Sequence, residues 1–335
     1  MSVTSKLAVV TGGAGFIGSH MVDLLLDEGC RVHVIDNLAG GRLQNLEHRK
    51  SDPNLTVEVQ DILELAPDTP LFTGADYVFH FAGIGDIVPS IDRPVDYLST
   101  NVMGTIKVLE AARHARVRKL VYAASSSCYG LAEVPTAESA PIHPEYPYAL
   151  SKYMGEEAVL HWGQVYRLQV NSIRIFNAYG TRSKTSGAYG AVFGVFLAQK
   201  LADKPLTVVG DGTQRRDFVY VTDVARAFYL AATTERVNRV YNLGAGNPQS
   251  INRLVELLGG EVVRLPKRPG EPDSTWADVS KIRSELGWEP RVSFEAGVGT
   301  MLTNIEYWRQ APVWDPASIE AATRNWFAFL AGKEK

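Results

Sequence analysis

Residues 7–26, LAVVTGGAGFIGSHMVDLLL, decide the fold, because an apolar run typical of a buried strand passes through spaced glycines into helical spacing. Gly12, Gly15 and Gly18 lie between the predicted strand and the predicted helix, and in that context their spacing indicates a dinucleotide site. Glycine permits a tight turn and a close approach of the backbone to a pyrophosphate, while the helix N-terminus offers free N–H groups and a partial positive charge. The alternative is a glycine-rich turn with no ligand.

The second predicted strand ends in an acid, Asp36, which lies 18 residues beyond Gly18. A carboxylate there can accept hydrogen bonds from both hydroxyls of an adenosine ribose and repel a 2′-phosphate, which favours NAD over NADP. Arg42 follows shortly, so some tolerance of NADP stays open. Asp61 and Ile62 follow the third predicted strand and would suit the adenine edge. With strand, helix and acid in place, a dinucleotide site is the favoured interpretation.

Apolar runs alternate with helical spacing through the first half of the chain, which indicates a parallel sheet covered by helices on both faces. After about residue 177, shorter strands and loops with glycine and proline predict a smaller lobe. The fold class is therefore α/β, a Rossmann-type doubly wound parallel sheet with a smaller α/β lobe. We expect a division into residues 1–177 and 178–335, with some later segments returning to the sheet. The predicted strands of the sheet are residues 6–11, 31–36, 55–60, 75–83, 119–125 and 168–176.

The composition bounds the class of protein: 335 residues, 45% hydrophobic and 21% charged, with a formal net charge of −3. No basic excess exists to neutralise phosphates over a broad face, so no nucleic-acid partner is predicted. Cys30 and Cys128 are too far apart to suggest a disulfide framework, and the seven histidines have no metal-ligand spacing, so no metal is predicted. His80 is expected to pack in the core, and Thr222 and Asp223 to cap a helix N-terminus.

The ends of the chain carry no segment typical of export or membrane insertion. The N-terminus enters a predicted strand almost at once, which leaves no room for a signal peptide. No apolar run reaches about 18 residues, the usual length of a membrane span. The expected location is therefore the cytoplasm, with no membrane partner. The final predicted helix, residues 318–332, is amphipathic, and we expect its aromatic residues to pack on the body rather than bind a ligand.

Residues 146–152, YPYALSK, place Lys152 four residues after Tyr148, so that on a helix the two side chains share a face. Tyrosine titrates at about pH 10 in water, so it acts as a base at neutral pH only if its anion is stabilised, as a neighbouring ammonium could do. A half-buried ring beside a solvated lysine is the alternative interpretation. Tyr146 is a control, because the residue four positions later is Leu150, and we expect it to shape a pocket wall.

Further motifs follow in a fixed order: TGGAGFIG, HFAGIGDIVPSIDRPVDYLSTNVMGT, ASSSCYG, YALSK, RIFNAYG, RRDFVYVTDVARA and RPGEPDSTWADVSKIRSELGW. In this order they resemble the extended short-chain dehydrogenase/reductase family, in its nucleotide-sugar epimerase/dehydratase branch. The resemblance implies bound NAD, with Phe81, Ala82 and Gly83 on the nicotinamide side and Asn101 steadying the central helix. The residues implied to bind the cofactor are Gly12, Gly15, Phe16, Ile17, Gly18, Asp36, Asn37, Asp61, Ile62, Phe81, Ala82, Gly83, Asn101, Tyr148 and Lys152.

The same resemblance implies that Ser125, Tyr148 and Lys152 are catalytic. Family members oxidise a sugar hydroxyl by passing its hydride to bound NAD⁺, so a base is needed within hydrogen-bond reach. Tyr148 is the expected base, and Lys152, together with the positive nicotinamide, is expected to lower its pKa and to hold the nicotinamide ribose. Ser125 is expected to orient the sugar oxygen from the end of the fifth strand. A serine that only satisfies strand-end backbone groups is the less attractive alternative.

The two positions after Ser125 discriminate among the reactions of this branch. In family dehydratases these two positions are similar to an Asp–Glu pair, and decarboxylases of the branch keep a glutamate in the second position. This chain has Ser126 and Ser127, which are expected to contact substrate but cannot carry the protons of an elimination. The resemblance therefore implies 4-epimerisation: oxidation at C4, reorientation of the 4-keto sugar, and return of hydride to its other face.

A nucleotide sugar brings a second pyrophosphate, which needs cationic or N–H partners. Asn177, Arg216 and Arg268 match family residues that contact the diphosphate, and Glu271 is similar in place to an acid that accepts the nucleotide ribose hydroxyls. Thr275 falls where some members carry a bulky tyrosine, so an N-acetyl group could fit. Each charged residue also has an alternative as a surface charge. A uronic acid substrate stays open.

The expected function is an NAD-dependent nucleotide-sugar 4-epimerase, most simply acting on a UDP-hexose or its N-acetyl or uronate form. A nucleotide-sugar reductase, or an epimerase at another carbon, is the second hypothesis. A non-catalytic NAD-binding scaffold is the third, disfavoured because Ser125, Tyr148 and Lys152 are all present. In this family the helices corresponding to residues 92–116 and 147–167 pair across a two-fold axis, so a homodimer through a four-helix bundle is expected.

Overall fold

The computed structural model describes residues 5–183, 192–267 and 271–330. Within these ranges the strands follow the alternation seen in the sequence, and short strands after residue 176 add small pairs. The strands are β1 (Leu7–Thr11), β2 (Arg31–Ile35), β3 (Leu55–Glu58), β4 (Tyr77–His80), β5 (Lys119–Ser125), β6 (Gln169–Ile175), β7 (Asn177–Tyr179), β8 (Leu206–Val209), β9 (Arg215–Arg216), β10 (Phe218–Tyr220), β11 (Arg239–Leu243), β12 (Gln249–Ser250) and β13 (Val262–Leu265).

The helices connect these strands, and the long helical stretch predicted before β5 is interrupted by a π-helical segment at Ser99–Met103. Segments of this kind are often found at functional sites. The α-helices are α1 (Phe16–Asp27), α2 (Pro94–Leu98), α3 (Gly104–His114), α4 (Pro147–Tyr166), α5 (Val192–Leu201), α6 (Val221–Thr233), α7 (Ile251–Leu258), α8 (Ser280–Leu286), α9 (Phe294–Thr303) and α10 (Pro316–Leu330).

Seven strands form one parallel sheet in the order β11–β6–β5–β4–β1–β2–β3. The chain moves outward from β1 to β3 on one side and from β4 to β6 on the other, so the order reverses between β1 and β4. A crevice at the carboxyl ends of the strands is expected at such a point. β11 pairs with β6 at the sheet edge, so a segment beyond residue 177 does return to the sheet. The predicted Rossmann-type doubly wound sheet is confirmed.

Helices cover both faces of the sheet and produce two apolar cores. On one face α1, α6 and α8 pack against the strands, and on the other face α3 and α4 do so. Each fully buried aliphatic or aromatic side chain contributes roughly 1.5–3 kcal/mol to the free energy of unfolding. Representative members are Val22, Leu25, Phe228 and Ile282 on the first face, and Phe72, Leu109 and Val159 on the second.

A further core lies beyond the sheet and is rich in aromatic rings. Tyr179 stacks on Phe193 with ring centroids 4.8 Å apart, and Phe218 stacks on Phe294 at 5.2 Å. Offset stacking of this kind adds to the free energy gained from burial. Around these rings, α5, α7, α9 and the β8–β13 pair complete the smaller α/β lobe. The division of the chain near residue 177 stays a proposal.

Asp223 corrects one expectation from the sequence. It lies in the first turn of α6, but the residue at the N-cap is Tyr220 and no side chain caps this helix end within the described ranges. The buried Asp223 carboxylate instead accepts the backbone N–H groups of Arg291 and Val292 at 2.9 and 3.0 Å. It therefore ties the segment before α9 to the sheet, a long-range contact that no local pattern indicates.

His80 is fully buried at the end of β4, as expected for a core histidine. The Thr105 hydroxyl donates to a main-chain carbonyl, so it accepts from Nε2 of His80 at 2.9 Å. Nδ1 of His80 then accepts from the Thr11 hydroxyl at 2.7 Å. This pairing requires a neutral ring. Burial, together with the charge of Lys152, lowers the pKa of His80 from 6.5 to about 3.

The histidine predicts a dependence of stability on pH. The unfolded chain takes up a proton at about pH 6.5, whereas the folded protein resists it down to about pH 3, so the free energy of unfolding falls as the pH drops between those values. The expected contribution is roughly 1.4 kcal/mol for each pH unit. Urea unfolding at pH 7, 6 and 5 should show a shallower decline for His80→Gln than for wild type. His161→Gln, at an exposed position, is the control, and equal slopes for all three proteins would contradict the prediction.

Candidate active site

A cavity of about 350 Å³ opens beyond the carboxyl ends of β5 and β6. It is bounded by α4 and the β5 end on one side and by the smaller lobe on the other. Residues from several separate motifs thus share one space, as the sequence predicts. The predicted site residues that line it are Ser125, Ser126, Ser127, Tyr148, Asn177, Arg216, Glu271 and Thr275, and Tyr146 forms part of the wall.

The glycine turn between β1 and α1 has the geometry of a pyrophosphate cradle. Gly12 has a φ of +72°, and a Cβ there would lie 2.6 Å from the backbone nitrogen of Ala82. A Cβ at Gly18 would collide with the carbonyl oxygen of Gly12. Gly15 is the N-cap of α1, and no described side chain caps this end, so the first-turn N–H groups suit an anion. The turn residues Gly12, Gly15, Phe16, Ile17 and Gly18 therefore fit a dinucleotide.

The predicted ribose and adenine contacts adjoin this turn. The buried Asp36 carboxylate accepts two backbone N–H groups, one of them from the glycine turn, at 3.0 and 2.8 Å. Burial raises the pKa of Asp36, and these hydrogen bonds oppose the rise. Nδ2 of Asn37 donates to Oδ2 of Asp61 at 2.8 Å, which joins the two predicted contact points. The Ile62 side chain is buried against Gly104, so its side chain serves the core.

The loop after β4 lies between the glycine turn and α4. The Phe81 ring packs in the core, and the backbone of Ala82 approaches the glycine turn closely. Oδ1 of Asn101 accepts the N–H of the residue after Gly83 at 2.8 Å, and its Nδ2 donates to the Ser151 hydroxyl at 2.9 Å. Asn101 therefore fastens this loop to α4, the helix that carries Tyr148.

Tyr148 and Lys152 lie one turn apart on α4, and both adjoin β5. The Lys152 ammonium is 4.6 Å from the centroid of the Tyr122 ring. Burial lowers the pKa of Lys152 to about 8, and the charge of Glu156 opposes this. Burial raises the pKa of Tyr148, and a hydrogen bond with Ser125 opposes that. The net shift of the Tyr148 pKa is therefore upward, opposite to the lowering expected from the sequence, and the contribution of the nicotinamide charge stays a prediction.

The serine run at the end of β5 serves two purposes. The Ser125 hydroxyl accepts the backbone N–H of Ser127 at 3.2 Å, and it also hydrogen-bonds Tyr148. The hydroxyl therefore does satisfy a strand-end backbone group, and its role in orienting the sugar oxygen stays a prediction. The Ser127 hydroxyl hydrogen-bonds the phenol of Tyr146. Glu145, like Glu271, lines the cavity. Its Oε1 lies 2.7 Å from Nδ1 of His143.

The lobe side of the cavity brings together the predicted nucleotide-sugar contacts. The Thr275 hydroxyl donates to Oδ1 of Asn177 at 2.8 Å. Arg216 and Glu271 face each other with Nη2 and Oε2 3.7 Å apart. A cation, an amide and a carboxylate thus meet on the lobe side of the cavity. Arg268 lies outside the described residues.

A buried charge network lies beneath the reactive side chains. It was not predicted from the sequence. Glu156 is one turn beyond Lys152 on α4, and its carboxylate pairs with the Arg174 guanidinium of β6 at 2.5 Å. Oε2 of Glu156 also accepts from the Ser172 hydroxyl at 2.7 Å, and Arg174 donates to the Tyr129 hydroxyl at 2.7 Å. The available signal was Arg174, the one charged residue of β6. The network fixes α4 on the sheet below the cavity.

Two side chains of α10, Ile319 and Trp326, also line the cavity. The aromatic residues of this helix were expected to pack on the body, and Trp326 does so against Tyr146 and Val88. Its position beside the cavity was not predicted. Ile319 and Trp326 are seven positions apart and therefore share a helix face. That spacing indicates a buried face, but it does not tell which surface the face covers.

Comparison with known proteins settles the family. The sequence matches the model of the NAD dependent epimerase/dehydratase family over residues 8–244. The chain belongs to this family. The match includes the glycine turn, the Ser125, Tyr148 and Lys152 group, and Arg216. The resemblance inferred from the motifs is therefore confirmed, and NAD is the cofactor of the family.

Similar proteins include 4-epimerases of UDP-sugars. UDP-glucose 4-epimerase of Mycolicibacterium smegmatis is 34% identical over 311 residues, which are 90% of this chain and 98% of that protein. UDP-N-acetylglucosamine 4-epimerase from Methanobrevibacter ruminantium, solved with UDP-N-acetylmuramic acid, has a TM-score of 0.84 at 32% identity and covers 90% of this chain and 99% of its own. UDP-glucuronic acid 4-epimerase from Bacillus cereus, solved with UDP-glucuronic acid and NAD, has a TM-score of 0.83 at 30% identity, with 91% and 99% covered.

No described helix is both long and apolar enough to span a membrane. Residues 5–183, 192–267 and 271–330 contain no group of three or more His, Cys, Asp or Glu side chains that could hold a metal ion.

Proposed function

We propose that this protein is an NAD-dependent 4-epimerase of a UDP-hexose or of its N-acetyl or uronate form. The observation that carries the proposal is the part of the cavity where Ser125 and Tyr148 are hydrogen-bonded to each other, while positions 126 and 127 carry hydroxyls. Lys152 follows Tyr148 by one turn of α4. An elimination or decarboxylation would need proton carriers at positions 126 and 127. Glu145 also lines the cavity, but it does not occupy either of those two positions, and its carboxylate is hydrogen-bonded to His143.

In this proposal the phenolic oxygen of Tyr148 takes the proton of the sugar C4 hydroxyl and later returns it. Ser125 hydrogen-bonds the same sugar oxygen, and Lys152 stabilises the phenolate and holds the nicotinamide ribose. NAD, when bound, supplies the acceptor and then the donor of the C4 hydride. The residues that would hold the cofactor are those of the glycine turn with Asp36, Asn37, Asp61, Ile62, Phe81, Ala82, Gly83 and Asn101.

The smaller lobe is proposed to bind the nucleotide diphosphate. Arg216 and Asn177 would contact the diphosphate, together with Arg268, and Glu271 would accept the ribose hydroxyls of the nucleotide. Residues 1–177 would thus carry most of the cofactor site and residues 178–335 most of the substrate site. The two free, buried cysteines, Cys30 and Cys128, fit a reducing compartment, so we also propose a cytoplasmic location.

Product analysis tests the function directly. Purified protein is incubated separately with UDP-glucose, UDP-N-acetylglucosamine and UDP-glucuronic acid, and the sugars are identified by NMR. The expected result is the C4 epimer of at least one substrate without consumption of added NAD⁺ or NADH. Stoichiometric consumption of NAD(P)H would instead indicate a reductase, and a folded, NAD-bound protein with no turnover on any substrate would indicate a scaffold.

A homodimer through α2–α4 is proposed from the family resemblance and from exposed apolar side chains on these helices. Met103 is 50% exposed, and Leu150 and Met154 are 43% and 42% exposed. Sedimentation velocity at micromolar concentration should give a dimer, and Leu150→Glu with Met154→Glu should give a monomer because charges would be buried in the interface. Val313→Glu, at an exposed apolar position in the segment before α10, should leave the dimer intact. A monomeric wild type would contradict the proposal.

A further inference from the structure

Helix α10 has its own N-terminal cap and one buried face. Asp315 and Ser318 cap its N-terminus reciprocally, with N–H to side-chain oxygen distances of 2.8 and 2.9 Å. The buried positions then recur at helical spacing and form one continuous face: Ile319, Thr323, Trp326 and Leu330. The helix therefore presents a single apolar stripe to the body of the protein.

Two attachments place this stripe across the cavity. On the lobe side, Nε2 of Gln199 donates to the carbonyl oxygen of Trp314, just before the helix. On the sheet side, Nδ2 of Asn325 donates to Oδ1 of Asp92 at 2.6 Å, in the segment that follows β4. Trp326 and Leu330 pack there with Val88, Ile87, Ile91 and Tyr146. The helix thus connects the two sides between which the cavity lies.

The stripe reaches the reactive end of the cavity. Ile319 and Trp326 line the same space as Ser125 and Tyr148. The Trp326 ring lies 5.1 Å from the Tyr146 ring, and Tyr146 stacks on Tyr148 with centroids 6.5 Å apart and an interplanar angle of 8°. Trp326 is therefore separated from the proposed base by one aromatic ring, that of Tyr146.

We propose that Ile319 and Trp326 form an apolar wall against the sugar of the bound UDP-hexose and retain its 4-keto form until hydride returns. This proposal rests on the proposed function, because it concerns the sugar end of the same site. The ketone must turn over between the two transfers, so directional hydrogen bonds on every side would hold it in one orientation. Aromatic and aliphatic surfaces exclude water and confine the sugar without fixing its orientation.

The alternative is that α10 only stabilises the fold, and binding measurements separate the two. Trp326→Ala and Ile319→Ala are compared with Phe329→Ala, which removes an aromatic side chain that is 67% exposed on the same helix. Calorimetric titration of the NAD-loaded proteins with UDP-glucose and with UDP is the first measurement. We expect Trp326→Ala to weaken UDP-glucose binding roughly tenfold or more, as for loss of a pocket contact, with UDP binding unchanged.

Escape of the ketone is the second measurement. Each 4-keto sugar that leaves takes no hydride back, so its two electrons stay on NADH and its hydroxyl proton is left on the protein or in solvent. NADH absorbance per turnover should therefore rise at least about tenfold in Trp326→Ala, in line with the loss of a pocket contact, and stay at the wild-type level in Phe329→Ala. Trp326→Phe should restore most of the retention, because it keeps an aromatic surface.

The outcomes that overturn the wall are specific. Unchanged binding and NADH release in both cavity variants would show that α10 serves the fold alone, and equal weakening of UDP and UDP-glucose would show a general distortion. If Trp326→Ala does not fold, Trp326→Leu and Ile319→Ala decide by the same measurements. If the wild-type protein binds UDP-glucose more tightly than UDP and yet forms no epimer, that result would contradict the proposed reaction. The binding comparison would still show whether Ile319 and Trp326 contact the sugar.

Discussion

Tyr148→Phe is expected to abolish epimerisation while the protein keeps its NAD. The substitution removes the phenolic oxygen that we propose as the carrier of the C4 proton, and it leaves the ring between Tyr97 and Tyr146. A positioned general base contributes roughly 10²–10⁴-fold to the rate, so kcat should fall by at least the lower figure. KM for the UDP-sugar should change little, because the residues proposed to contact the diphosphate, Asn177 and Arg216, are unaltered by the substitution.

The measurement combines turnover with cofactor content. Product formation is followed by NMR, and NAD is quantified after denaturation of the purified variant. Tyr166→Phe is the matched control, because this tyrosine lies at the end of the same helix and is 47% exposed. Normal turnover of Tyr148→Phe would show that another group carries the proton. Loss of NAD together with turnover would show that the ring oxygen mainly supports the cofactor site.

Much of this site could be predicted from sequence because its elements are local. The turn after β1 needs glycine for a positive φ and for close backbone approach, and both requirements leave a trace in the spacing of Gly12 and Gly18. The pair Tyr148 and Lys152 is likewise set by one helical turn. The alternation of apolar runs and helices then fixes the parallel sheet, since crossover helices are needed between parallel strands.

The rest could not be predicted because it depends on contacts between distant segments. Trp326 reaches the cavity because it packs against residues 87–91, and the sequence of the helix does not indicate which surface it packs on. Asp223 looks like a helix cap by position, yet its partners lie 68 and 69 residues later. The raised pKa of Tyr148 also arises from burial, which a spacing rule does not measure.

The pair of Glu156 and Arg174 carries the second large expected effect, on stability. Both side chains are almost fully buried, and the guanidinium makes hydrogen bonds to both carboxylate oxygens. Burial opposes the charge of Arg174, but the hydrogen bonds and charge of Glu156 outweigh it, so the pKa of Arg174 is raised. Glu156→Leu should lower the free energy of unfolding by about 3–5 kcal/mol, because the arginine is left buried without its partner.

Urea unfolding of the single and double variants tests this account. Glu156→Leu with Arg174→Met should recover much of the loss, since the desolvated charges are removed together. Glu256→Gln removes the partner of Arg253 in an exposed pair at 2.8 Å and should cost less than about 1 kcal/mol. Glu156 also raises the pKa of Lys152 against burial, so its loss should lower that pKa below about 8 and reduce the protonated fraction of Lys152 near that pH. If the double variant is no more stable than Glu156→Leu alone, the network acts through the packing of α4 on β6 rather than through paired charge.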